Sequence, residues 1–209
     1  MSSYLNDDEQ VEALKDWWKE NGRAVIIGAI LGIGSVIGWQ GWDRYQTSQN
    51  ENASILFSIM ESQFSGNERN EGITSAKSLL ETYPNTIYAT FASFYLGKMY
   101  RELENYEVAR TYLTLAVENA SDSALSELAK LRLVRLLVEM QKFEEAELIL
   151  TESFAIFKGE FSEIIGDLAA KNNNFSKARQ AYNRALSQGV DNADLLKMKI
   201  ANLGKDVSK

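Results

Sequence analysis

Asn105-Tyr106-Glu107-Val108-Ala109-Arg110, Lys142-Phe143-Glu144-Glu145-Ala146-Glu147 and Asn174-Phe175-Ser176-Lys177-Ala178-Arg179 share one pattern, an aromatic residue followed three places later by alanine. The alanines stand 37 and then 32 residues apart. A recurrence on this scale marks stacked helix pairs, in which each unit buries its apolar face only against its neighbours. More of the pattern surrounds the first of these alanines. Leu96, Gly97 and Tyr100 fall on one helix, and Tyr106, Ala109, Leu113 and Ala116 on the next. The following unit keeps Leu133, Leu137, Phe143 and Leu150 but has Val134 where the glycine would stand; the third keeps Gly166, Ala169, Tyr182 and Ala185.

Beyond residue 50 apolar residues recur at three and four spacing, strand-like alternation is missing, and the chain holds one proline. The fold class is therefore all-α, a solenoid of helix-turn-helix units resembling tetratricopeptide repeats, whose period is about 34 residues. Helices of about 12 to 18 residues are expected between the polar breaks Ser65-Gly66-Asn67, Tyr83-Pro84-Asn85, Ser121-Asp122-Ser123 and Lys171-Asn172-Asn173-Asn174. An upstream unit is expected to place Ala76 and Leu80 in its second helix, 33 residues before Ala109, with a degenerate first helix near 53–64. Residues 193–203 supply a closing helix at the other end.

Ahead of the repeats lies a run of nineteen uncharged residues, Ala24 to Trp42. As a helix it spans about 28 Å, close to the ~30 Å hydrocarbon core of a bilayer. All four tryptophans flank it, Trp17 and Trp18 on one side and Trp39 and Trp42 on the other, at spacings that suit two membrane interfaces. A cleaved signal peptide fits poorly, because the preceding region is long and acidic and no small-x-small site follows the run. Lys15, Lys19 and Arg23 precede the run and only Arg44 follows within twenty residues, so the positive-inside rule places the amino terminus in the cytoplasm. The expected organisation is a cytoplasmic tail at 1–23, a transmembrane helix at 24–42, a linker at 43–52 and an exported repeat domain at 53–209. The tail carries Val11, Leu14, Trp17 and Trp18 on one side of a helix that lies at the interface or extends the membrane helix.

The chain has no histidine and no cysteine. That removes the commonest general base and metal ligand, thiol nucleophiles and structural zinc. With 22 Lys and Arg against 29 Asp and Glu, it offers no basic field for nucleic acid. Carboxylates such as Glu144, Glu145 and Glu147 sit at helix-surface spacing and form no cluster suited to acid–base chemistry. A non-enzymatic protein without cofactor or metal is expected.

Function in such an array falls to the face lined by the first helices. The register puts Phe91, Phe94, Lys98 and Arg101 of one unit and Leu128, Leu131, Arg135 and Val138 of the next toward that groove, where they could hold an extended chain or a helix. The same residues also suit a plainer role, inter-repeat packing for the apolar ones and surface ion pairs for the cations. In the apolar run, Gly28 and Gly32, and Gly34 and Gly38, form small-residue pairs on two faces that permit close contact with other membrane helices.

Gln10-Val11-Glu12-Ala13-Leu14-Lys15, Glu20-Asn21-Gly22, Ile30-Leu31-Gly32 and Ile37-Gly38-Trp39, with Met198-Lys199-Ile200 and Asn202-Leu203 at the far end, resemble the YfgM family of ancillary Sec translocon subunits. The resemblance implies a bacterial inner-membrane protein with a periplasmic repeat domain, associated with the SecYEG channel and the chaperone PpiD and assisting exported polypeptides as they leave the channel. It carries over no catalytic residue and no mapped binding motif. The alternative is a membrane-tethered scaffold for envelope assembly or stress regulation that never touches translocating chains.

Overall fold

The structure, a computed structural model, describes residues 7–152 and 154–203. Residues 1–6 of the expected tail, Ser153, and residues 204–209 of the expected repeat domain lie outside the described residues. The chain divides after Gln49 into two units, and every described element is a helix.

The first unit is the amino-terminal part of α1 (Asp7–Ser65). Its apolar run presents large side chains outward, with Ile30 64%, Leu31 65% and Trp39 74% exposed. Among the described residues it lies in the one helix long and apolar enough to cross a membrane, which fits a single-pass membrane protein. The helix passes through Asn21-Gly22. The Asn21 amide donates to the Trp17 carbonyl at 3.1 Å, and the Trp18 indole covers Gly22, where a Cβ would meet it at 3.2 Å. Residues 43–52, read from sequence as a linker, are helical as well; no glycine or proline interrupts 43–65, so nothing breaks the backbone ladder there.

The second unit stacks four helix pairs and a closing helix. Residues 50–65 of α1 pair with α2 (Arg69–Thr82), α3 (Ile87–Glu102) with α4 (Tyr106–Glu118), α5 (Ser123–Glu139) with α6 (Phe143–Leu150), and α7 (Lys158–Lys171) with α8 (Phe175–Gln188); α9 (Ala193–Asn202) ends the stack. This is the expected tetratricopeptide-like solenoid. One turn joins every pair. A residue after the first helix adopts the left-handed conformation, Asn67, Glu104, Gln141 and Asn173 with φ of 65°, 57°, 61° and 58°. The next N–H then donates back five residues at 2.8 Å, from Glu68 to Gln63, Asn105 to Tyr100, Lys142 to Leu137 and Asn174 to Ala169. This closure satisfies carbonyls that a helix end leaves open. Asn105 and Asn174 also cap the following helix, their side chains accepting from the N–H of Val108 and Lys177.

Counting from these turns fixes the register. Five places after the left-handed residue stand Ala109, Ala146 and Ala178, and in the first pair Gly72, not Ala76. The expected upstream alanine was therefore one helical turn too far along. The Phe64 ring lies where a Cβ on Gly72 would be, at 2.8 Å, and Arg69 occupies the place of the aromatic residue.

The contact between paired helices is filled by complementary sizes. A Cβ on Gly97 would meet Leu113 at 2.9 Å, and one on Gly166 would meet the Tyr182 ring at 2.4 Å. At the equivalent places the third pair has Val134 and Leu150, which lie in one core cluster. The first pair reverses the sizes, with Met60 opposite Ala76, both fully buried. In three of the pairs a small residue faces a large one, and either helix can supply the larger part; the third pair, with two large residues, leaves Leu150 partly exposed.

Helices α6 and α9, of 8 and 10 residues, are shorter than the expected range. The physical cause at α6 is a strap. After Leu150 the chain turns toward α7, and the Glu127 carboxylate of α5 accepts the N–H groups of Ala155 and Ile156 at 2.8 Å and of Phe157 at 3.0 Å. Phe154 stacks on Phe161 behind it. Burial pushes the Glu127 carboxyl up, but the three N–H bonds outweigh it and hold it below the ordinary value.

Candidate partner-binding face

Helical spacing places α3 and α5 so that one side chain per turn reaches the face shared by the first helices. The eight residues expected there separate into three kinds. Phe94 and Leu131 are 4% and 3% exposed and belong to the core, while Phe91, Leu128 and Val138 are half-buried against it. Lys98, Arg101 and Arg135 are exposed. Lys98 approaches Glu102 at 3.9 Å, and Arg101 donates through Nε to Glu139 at 2.6 Å. That bond raises the Arg101 guanidinium above its usual range against the opposing effect of burial. Arg135 has no carboxylate within ion-pairing distance among the described residues, so it alone of the three cations keeps its charge unmatched.

Sequence reasoning missed two contributors. One is an aromatic run that enters from the first pair: Phe57 lies 5.5 Å from Tyr88, 6.0 Å from Phe91 and 6.0 Å from Tyr95 between ring centroids, and Phe64 stacks on Tyr95 at 5.4 Å. The Tyr95 hydroxyl donates to Glu61 at 2.9 Å, and burial together with that bond raises its pKa. The other is Arg132, whose guanidinium lies over the Phe94 ring, 4.3 Å from its centroid. Burial, then the neighbouring Arg135, lower the Arg132 pKa, with Tyr95 acting in the other direction. The available signal was position, since Arg132 stands one turn before Arg135 and occupies the place of Tyr95 in the preceding unit.

Toward the last pair the face changes character. Arg135, Val138, Glu139, Glu163, Ile164, Asp167, Lys171 and Lys199 line an open cleft of ≈ 340 Å³. Its acids are engaged: Glu139 by Arg101, and both Glu163 and Asp167 by Lys199 at 2.7 Å. Burial disfavours the Lys199 charge, but bonds to Asp167 and Glu163 prevail and raise its pKa. Asp167 also accepts the Tyr182 hydroxyl at 2.8 Å, so α9 is tied to α7 and α8 through one charged knot.

In the apolar run, Gly28, Gly32, Gly34 and Gly38 have, among the described residues and apart from the adjoining helix backbone, no atom within 4 Å of where a Cβ would stand.

Comparison with known proteins covers the same extent. A family model described as tetratricopeptide repeat-like domain matches residues 15–205, including the apolar run. Proteins named ancillary SecYEG translocon subunit from Haemophilus influenzae, Escherichia coli and Neisseria gonorrhoeae are 28%, 29% and 26% identical to this chain. Each alignment covers 97% of this chain and 100%, 99% and 100% of the respective relative.

Proposed function

The chain belongs to the tetratricopeptide repeat-like domain family, and on that footing we propose that it is a non-enzymatic, membrane-anchored subunit of the SecYEG translocon that engages polypeptides through its repeats. The carrying observation is the end-to-end likeness to proteins named ancillary SecYEG translocon subunits, which runs through both the apolar run and the repeats. The helix of residues 24–42 holds the chain in the bacterial inner membrane, and its open glycine surfaces meet other membrane helices. The amino terminus is cytoplasmic and the repeat domain periplasmic, following the bias of Lys15, Lys19 and Arg23. There the half-buried aromatics beside unmatched arginines receive exported polypeptide as it leaves the channel, in company with a PpiD-like chaperone.

Two experiments test this. Protease added to spheroplasts should remove the repeat domain; full protection of that domain would reverse the orientation. Photocrosslinkers placed at Phe91 and Arg135, which unlike Phe94 reach the surface, should capture SecYEG, a PpiD-like chaperone or exported chains. One dominant envelope partner with none of these would instead establish the tethered-scaffold alternative.

A further inference from the structure

We infer that the face of α3 and α5 selects polypeptide segments in which apolar side chains are followed by acidic ones, the acids being bound by Arg132 and Arg135. This rests on the polypeptide-binding reading above and specifies the sequence chemistry it prefers.

Three observations converge. First, Phe57, Phe91 and Phe94 form a continuous aromatic run across α1 and α3, with ring spacings of 6.0 and 6.4 Å, and Arg132 continues it 4.3 Å from Phe94. A run of this extent accommodates about five residues of extended chain at roughly 3.4 Å per residue. Phe57 and Phe91 are half-buried, so each keeps an edge for a ligand, whereas Phe94 is covered and serves as the platform for Arg132.

Second, Arg132 and Arg135 are both exposed, three residues apart on one helix, and neither has a carboxylate partner among the described residues. Like charges at this spacing oppose each other. Among the surrounding acids, Glu139 is paired with Arg101, Glu163 and Asp167 share Lys199, and Glu61 keeps its charge while accepting from the neutral Tyr95 hydroxyl; none bonds to Arg132 or Arg135. The pair is thus a cationic site with no direct carboxylate partner among the described residues, in a chain of net charge −7.

Third, the geometry suits carboxylates in particular. A guanidinium stacked on a ring has its rotation restricted and leaves its outer edge free, which favours two-pronged bonding to a carboxylate over contact with a neutral amide. Apolar side chains at one end and carboxylates at the other then match the face along its length. A basic segment meets Arg132 and Arg135 with like charge and is rejected.

The test uses the full chain in detergent micelles and three fluorescein-labelled ten-residue peptides, with binding read by anisotropy. All three share the same Phe and Leu residues at one end, and carry two Glu, two Gln or two Lys at the other. The Glu peptide should bind about tenfold more tightly than the Gln peptide, with the Lys peptide weakest. The preference should shrink as salt rises. Arg132→Gln with Arg135→Gln should abolish the preference, the Glu and Gln peptides then binding this variant equally, while the helical circular dichroism is unchanged. Arg132→Lys, which keeps charge but loses the planar guanidinium fork, should retain only part of it.

Equal binding of the Glu and Gln peptides, or a preference that survives the double substitution, overturns this selectivity while leaving polypeptide binding intact. Failure to bind all three peptides overturns the polypeptide-binding reading itself and this inference with it.

Discussion

The first and fourth helix pairs solve the same packing problem from opposite sides. In the fourth, Gly166 on the first helix makes room for Tyr182 on the second, and in the first, Met60 fills the space that Ala76 leaves. Both pairs end their first helix in the same left-handed turn, so the backbone is held constant while the side-chain volumes trade places. What these two units share is a turn and a match of one small residue with one large one. The identity of the residue at any one place is secondary.

The strongest way to break this comparison is to add volume where the partner is already large. Gly166→Val places new atoms against a ring that a bare Cβ would meet at 2.4 Å, with the backbone fixed by the turn at Asn173. A loss of about 3 kcal/mol is expected, at the upper end for overpacking. Urea unfolding of the full chain in detergent, followed by circular dichroism, measures it; an unchanged midpoint would mean that the pair slides apart freely. The first pair allows the complementary experiment. Ala76→Leu should cost about 2 kcal/mol against the buried Met60, and Met60→Ala about 3 kcal/mol through the cavity it leaves. Combined, they reproduce the size order of Gly97 and Leu113, and the double variant should be at least about 1 kcal/mol more stable than the two losses added together. Strict additivity would show that Met60 and Ala76 do not share one contact.

The same contrast explains what could be read in advance. The second, third and fourth units were legible because each pairs an aromatic residue with alanine at a fixed offset from its turn. The first unit is hidden because Arg69 and Gly72 stand at those places, and the alanine spacing points instead to Ala76, one turn away. Turn positions at Glu104 and Gln141 carried no local signal either, since left-handed residues announce themselves chiefly as glycine or asparagine. On the candidate face, spacing alone puts Lys98, Arg101 and Arg135 on one side. Which of them stays unmatched depends on Glu139, 38 residues beyond Arg101, and such long-range pairing leaves no periodic trace. Arg132 was overlooked for the same reason, because its role comes from lying over Phe94 of the neighbouring unit.

The third pair departs from its neighbours in another way, and Glu127 is where that departure can be tested. Its carboxylate replaces the missing turns of α6 by binding three N–H groups of the strap, so Glu127→Ala should destabilise the chain by about 1.5 kcal/mol; water reaches the exposed Ala155 and Ile156 and softens the loss. The pH dependence has a definite sign. Because the folded carboxyl lies below its ordinary value of 4.5, its contribution is fully present above that value and is lost as pH falls through the lower folded value. The stability difference between the wild-type chain and Glu127→Ala should therefore narrow as pH falls from the ordinary value of 4.5 through the lower folded value. A difference that stays constant over this range would remove the carboxylate from the account of the strap.

The turns shared by all pairs provide the smallest and most local test. Gln141 adopts φ of 61°, a conformation in which its Cβ crowds the following carbonyl, and the fold accepts the strain because the turn's backbone bonds, Lys142 to Leu137 at 2.8 Å and Gln141 to Val138 at 3.2 Å, require that conformation. Glycine removes the crowding but also loosens the unfolded chain, and the two effects oppose each other. The first is the larger at a left-handed site, so Gln141→Gly should stabilise the chain by about 0.5 kcal/mol, read as a higher urea midpoint. The same substitution at Ser126, inside α5 and free of any turn, should lower the midpoint by about as much or more. If both substitutions moved the midpoint downward, the left-handed turn would not be a strained feature of the repeat, and the constancy of these turns would have to come from the packing around them instead of from their backbone bonds.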